Sequence, residues 1–180
     1  QTRVDSNNNI SLYYNAGNNE LTSTYKGAGT ANIAFTNDNI EGDGLWYNAI
    51  STWDSSGSVN LYLDGILKDT TAISGNITGS FSTASIGNNS IGGGFWKGNI
   101  DEVVIFNKEL DQSEVTNLYN DGLPFNPKPV SNMIGYWKMG DGGIVGNPIA
   151  VYPTIEDETG NNNGTMINMT STDFVVDVPE

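Results

Sequence analysis

Apolar and polar residues alternate along this chain in short runs, at Ile10–Asn15, Ala31–Phe35, Leu45–Trp53, Val59–Leu63, Ser82–Ile86 and Ile100–Phe106. A period of two sends successive side chains to opposite faces, the pattern of half-buried strands. Turn residues separate nearly all of the runs, at the ~8–12-residue spacing of a two-sheet sandwich rather than of βαβ units. One segment reads differently. Asp111 can cap a helix with Glu114 three positions on, Val115, Leu118 and Tyr119 follow at i, i+3 and i+4, and Gly122 then Pro124 stop it. The pattern therefore predicts an all-β, antiparallel two-sheet sandwich with one short capping helix near 111–121.

Composition sharpens this picture. The 180 residues amount to about one domain, and the 25 Asn and 22 Gly supply the tight turns that many strands need. Four Trp, eight Tyr and six Phe require a buried interior, which argues against a disordered acidic chain. A net charge of -14 would be repelled by nucleic-acid phosphates and by anionic membranes, so neither is an expected partner. With no Cys and no His, thiol nucleophiles, disulfides, cysteinyl or histidyl zinc sites and imidazole bases are excluded. No apolar run exceeds the four residues of Val103–Phe106, far short of the ~20 that span a bilayer. The opening Gln1-Thr2-Arg3, without Met or an apolar signal segment, reads as a processed product or an excised fragment. Residues 123–132, with three of the six prolines, read as an extended linker before a second segment, 133–180.

Residues 43–122 carry DGLWYNAISTW, DSSGSVNLYLDG, ASIGN and FWKGNIDEVVIFNKELDQSEVTNLYNDG in that order. This succession resembles the laminin-G-like, concanavalin-A-like jelly-roll superfamily: a Trp-led strand, a hairpin ending in Tyr-x-Asp-Gly, an Ile-Gly strand, a Gly-x-Ile-Asp-Glu-Val strand and a short capping helix. The elements have physical reasons. Trp46 brings a large core payload, Asp64-Gly65 supplies positive-φ residues for a hairpin, and Gly98 precedes a strand that passes close to a neighbour. The resemblance implies that the family's first strands are missing ahead of residue 1. It also implies that GYWKMGDG at 135–142 and DETGNNNGTMIN at 157–168 are such elements placed at the other end. Phage-type laminin-G proteins are similar in carrying a Gly-Tyr-Trp-x-Met-Gly-Asp-Gly tail. The expected organisation is a sandwich core over 1–122, the linker 123–132, and a tail 133–180 that completes the same sandwich.

No carboxylate pair suits a glycosidase, which needs two carboxyl groups converging on one bond. Asp101 and Glu102 are neighbours and, on a strand, point to opposite faces, with Asp101 bonding a turn and Glu102 on the wet side. Glu41 with Asp43, and Glu156 with Glu158, have i, i+2 spacing but lie in turn sequence. The Glu-x-Asp-x-(x)-Glu spacing of glycanases sharing the fold is absent, so no enzyme is expected. Calcium is the cofactor to test, because it takes hard oxygens in number. Asp157, Asn161 and Asn163 of DETGNNNG form the leading loop, and Asn39, Glu41 and Asp43 of NIEGDG the second; each can equally be an Asx turn satisfying its own backbone. Sugar contacts, for which such folds use exposed aromatic faces, fall to Tyr13, Tyr14, Trp53 and Trp96, each of which could instead be core. Five Asn-x-Ser/Thr sequons are close to the number expected by chance, and glycines 92–94 with Gly98 lack the nucleotide-binding spacing. The resulting expectation is a non-catalytic recognition or adhesion module, binding a glycan or a surface protein, on a virion or other extracellular surface. A structural virion subunit, such as a capsid decoration or fibre domain that packs as a homo-oligomer or against virion neighbours, is the alternative.

Overall fold

The computed structural model describes residues 1–89, 93–123, 127, 130–139, 154–170 and 173. The chain divides into two compact units, residues 1–97 with 109–122, and residues 98–108 with 123–180.

The first unit is a two-sheet sandwich. Its larger sheet holds β1 (Thr2–Asp5), β2 (Asn8–Asn15), β3 (Glu20–Gly27), β4 (Thr30–Phe35) and β8 (Thr83–Ala84), in the order β4-β3-β2-β1-β8. The smaller holds β5 (Ala49–Trp53), β6 (Ser58–Leu63) and β7 (Ile66–Ala72) in sequence order. All these pairings are antiparallel. The interior is built by alternate residues of both sheets: Ile10, Leu21, Tyr25 and Ala34 from one, Val59, Leu61 and Leu63 from the other. Ile40, Tyr47, Ala49, Trp53, Ile73 and Ile77 close its margins. One polar link crosses this core, where the Ser23 and Ser51 hydroxyls share a hydrogen bond of 2.5 Å.

Three polar side chains stitch residues 74–78 to the larger sheet. Asn32, buried in β4, accepts from the Ser74 N–H and donates to the Ser74 carbonyl. Asn8 Oδ1 accepts from the N–H groups of Ala28 and Thr78, and the Tyr25 hydroxyl accepts from the Ile77 N–H. The backbones then run so close that a Cβ on Gly27 would lie 2.4 Å from the Gly75 carbonyl oxygen. At the outer edge of β4, side chains of β7 stand in for a strand: Phe35 N–H donates to Asp69 Oδ2 at 3.1 Å, and Thr71 Oγ1 donates to the Ile33 carbonyl at 2.8 Å. Such a seal blunts an edge that could otherwise pair with another chain.

The helix α1 (Gln112–Tyr119) forms with the capping box read from the sequence, Asp111 accepting from the Glu114 N–H and Glu114 from the Asp111 N–H. It buries Val115 and ties to the β6–β7 hairpin, where Gln112 Nε2 donates to the Gly65 carbonyl. That hairpin turns on Asp64 and Gly65, both at positive φ, as the sequence predicts. The helix stop differs from expectation. Asn120 takes the left-handed C-cap and donates its N–H to the Thr116 carbonyl, so the helix ends before Gly122.

The second unit pairs β9 (Val103–Phe106) with β10 (Met133–Trp137), and the short β11 (Thr154–Ile155) with β12 (Gly164–Thr165). The ladder of β9 with β10 joins 103–106, in the segment read as core, to the tail strand 133–137. One reading is corrected here. The Leu45–Trp53 run becomes a strand only from Ala49, and Leu45 is exposed, because Asp43 and Asp64 draw the Leu45 and Asn48 N–H groups into turns. Half of the Pro-rich segment (124–126, 128 and 129) and residues 140–142 of the GYWKMGDG stretch lie outside the described residues.

Candidate functional site

The register of the larger sheet sorts its side chains into two faces. Leu21, Ser23 and Tyr25 of β3 face the core, so Thr22, Thr24 and Lys26 face outward. Opposite them stand Tyr13, Ser11 and Asn9 on β2, and Phe35, Ile33 and Ala31 on β4. Two rows result across three strands: Tyr13–Thr22–Phe35 and Ser11–Thr24–Ile33. Tyr13, Ile33 and Phe35 are each 42% exposed, while Thr22 between them is 2% exposed. Neighbouring strands lie ~4.8 Å apart, so the strand axes that carry Tyr13 and Phe35 are about 9.6 Å apart, with the buried Thr22 between them. The Thr22 hydroxyl is buried without a hydrogen-bond partner among the described residues.

The four aromatic candidates do not converge. Tyr13 lies on the exposed face. Tyr14, the next residue, turns to the other face, half-buried, with its hydroxyl 3.4 Å from both Asn19 Oδ1 and Asn39 Oδ1. Desolvation, with the Glu41 charge, raises its pKa. Trp53, half-buried, packs against the margin of the core. Trp96, 42% exposed, belongs to the loop after β8, where its N–H donates to the Gly87 carbonyl at 2.7 Å. Phe35 and Thr22 were not among the sequence candidates. Thr22, Ser23 and Thr24 are polar on both faces, which hides the period of β3, and only the register brings Phe35 opposite Tyr13's row.

The two oxygen-rich loops are self-satisfied turns. Asp157, 4% exposed, accepts at Oδ1 from the N–H groups of Tyr136 (2.8 Å) and Thr159 (3.0 Å). Its Oδ2 accepts from Thr159 Oγ1 at 2.6 Å and the Asn162 N–H at 2.9 Å, with the Asn161 N–H at 3.4 Å. Asn163 Oδ1 accepts from the Asp157 N–H. Asp157, Asn161 and Asn163 are thus brought together, but around donors. A cation would need the same lone pairs, so this donor set does not fit calcium. Desolvation pushes the Asp157 carboxyl upward, yet the bonds from Thr159, Tyr136 and Asn162 outweigh it and hold the pKa down to about 2. In the second loop Asn39 Oδ1 accepts from the Glu41 N–H, and Asp43 accepts from the Leu45 N–H and the Tyr47 hydroxyl. That phenol–carboxylate bond pushes Tyr47 up to about 12 and lowers Asp43. No group of three Asp or Glu side chains placed to hold a metal ion occurs among the described residues.

The adjacent acids Asp101 and Glu102 make local hydrogen bonds. Glu102 sits ahead of β9 at φ +51, so strand alternation does not govern it. Its carboxylate accepts from the Tyr136 hydroxyl rather than facing water, which corrects the expected wet-side placement, while Asp101 Oδ1 accepts from the Glu102 N–H. Both groups serve local structure.

A laminin G family model of the Concanavalin A-like lectin/glucanases superfamily matches residues 1–116, more than half of the chain. The chain belongs to this superfamily. The match starts at the first residue, so the N-terminal strands β1 to β4 fall inside it. No curated protein matches the chain. Among solved structures, the S-layer domain-containing protein (residues 221–444) from Clostridium thermocellum ATCC 27405 is 16% identical, the alignment covering 65% of each chain at a TM-score of 0.36. So loose a superposition carries no argument. No helix among the described residues is long and apolar enough to cross a membrane.

Proposed function

We propose that this superfamily member is a non-catalytic recognition module that binds carbohydrate on an extracellular or virion surface. One observation carries the reading: a regular sheet face presents Tyr13 and Phe35 to solvent on either side of β3, with the half-buried hydroxyl-bearing Ser11 on the same face and no carboxylate in those rows. Aromatic rings stack on the apolar faces of sugar rings, and hydroxyls exchange hydrogen bonds with sugar hydroxyls. The absence of His and Cys, and the commitment of Asp101, Glu102 and Asp157 to local hydrogen bonds, support a binding rather than a hydrolytic role.

The test is a glycan array run with millimolar calcium and with chelator, after light scattering has fixed the oligomeric state. Reproducible binding to one sugar class, equal in both conditions, is the expected result. A blank array from a well-folded oligomer would overturn it in favour of a structural virion subunit.

A further inference from the structure

We infer that Asn163 is a site of self-modification: the Gly164 nitrogen closes a succinimide on the Asn163 side chain, ammonia leaves, and hydrolysis gives aspartate or isoaspartate where the second unit depends on the length of its main chain.

The sequence holds 25 Asn and 22 Gly, yet Asn163-Gly164 is its one Asn-Gly step. Ring closure needs a main-chain nitrogen to reach the side-chain Cγ of the residue before it. A Cβ on the attacking residue obstructs that approach, and glycine has none. The structure adds three conditions. Asn163 is exposed and lies just ahead of β12, and the ladder of β12 with β11 is only two residues long, so the local opening that frees the Gly164 nitrogen costs little. Asn163 Oδ1 accepts from the Asp157 N–H at 3.0 Å, which polarises the Cγ carbonyl that is attacked. Asn163 Nδ2, the leaving nitrogen, makes no hydrogen bond among the described residues.

The step balances without an oxidant or reductant. Gly164 gives up its amide proton to water, its nitrogen bonds to Cγ, the Cγ–Nδ2 bond breaks, and Nδ2 leaves as ammonia. Water then opens the ring at Cγ to give aspartate, or at the Asn163 main-chain carbonyl to give isoaspartate, whose chain runs through Cβ and Cγ and is longer by a methylene. The two products differ in consequence. Aspartate keeps an acceptor for the Asp157 N–H. Isoaspartate lengthens the chain between two anchored residues. On one side is Asn162, whose N–H donates to Asp157 Oδ2 at 2.9 Å and whose carbonyl accepts from Trp137 Nε1 at 3.0 Å; on the other is Gly164, paired with Ile155. Both anchors cannot keep their places, and the hold of Asp157 on the Tyr136 N–H weakens with them.

The experiment keeps the full chain in warm, mildly alkaline buffer, follows the amide-to-acid mass change by peptide mapping, and separates the products with an isoaspartate-specific methyltransferase. Asn163 is expected to convert first, about tenfold faster than any other asparagine. Gly164→Ala should slow the conversion about tenfold with the fold kept, because its Cβ would stand 3.7 Å from Ile155, an ordinary contact. Hydrogen exchange at the Tyr136 amide should quicken in the isoaspartate fraction and stay as in the wild type in Asn163→Asp. An amide that persists at Asn163 in the folded chain, another asparagine converting ahead of it, or equal rates in the wild type and Gly164→Ala would overturn the site. Unchanged Tyr136 exchange in the isoaspartate fraction would overturn the structural consequence.

Discussion

Asp157 shows how one side chain can organise a segment of backbone. Its two oxygens collect the N–H groups of Tyr136, Thr159 and Asn162, along with the Thr159 hydroxyl, and join β10 to the loop before β12. Asp157→Asn replaces a charged acceptor by an amide that must turn one N–H toward those donors. The second unit should lose about 2–3 kcal/mol, the scale of hydrogen bonds to a charged group, read as faster exchange of the Tyr136 amide. The carboxyl's folded pKa, about 2, lies below the ordinary value of 3.8. Its stabilising contribution is therefore complete above the unfolded pKa and is lost as pH falls from about 4 toward 2. An acid titration of the wild type should show this loss in β10, and Asp157→Asn should show it much less. Two glycines are constrained as well, to different degrees. A Cβ at Gly135 would meet the Trp137 ring at 2.5 Å, which can shift; one at Gly27 would meet the Gly75 and Asn76 backbones, at 2.4 and 2.6 Å, which cannot. Gly27→Ala should therefore be the costlier, by about 3 kcal/mol in urea unfolding, and Gly135→Ala by about 1 kcal/mol.

Among the elements, α1 and the larger sheet make opposite points about legibility. The helix was readable because its signals are local: a capping residue, its Glu partner and an apolar stripe within one short segment. Asp111→Ala should cost about 1 kcal/mol, checked by thermal melting, since it strips one acceptor from the first turn. The strands β1, β3 and β7 were not read from the chain, for a physical reason in each case. β1 is only four residues, β3 runs Leu21-Thr22-Ser23-Thr24-Tyr25 with hydroxyls on both faces, and β7 is Ile66-Leu67-Lys68-Asp69-Thr70-Thr71-Ala72 with a register shift against β6. Tertiary pairing, not propensity, makes these segments strands. The candidate face inherits this difficulty: Tyr13 could be named from its run, but Thr22 and Phe35 join it only once two ladders are in register.

For the molecule as a whole, β9 and its partner β10 matter most. Removing residues 123–180 would strip β9 of its ladder, so the amides of Val103–Phe106 should lose protection in hydrogen exchange, although these residues belong to the segment read as core. Calcium and chelator should give the same melting temperature for the full chain, because both oxygens of Asp157 already accept from N–H and O–H donors.

Short-range patterns and motifs in fixed order carry the fold class, the capped helix α1, the Asp64-Gly65 hairpin and the superfamily. Composition set the charge and removed imidazole and thiol chemistry. Tertiary structure alone decided which aromatic side chains reach solvent, that Trp53 goes to the core margin, that Asp157 spends its oxygens on backbone, and that β9 pairs with the tail. Those outcomes depend on strand register and on groups far apart in the chain, and a one-residue change of register reverses every face.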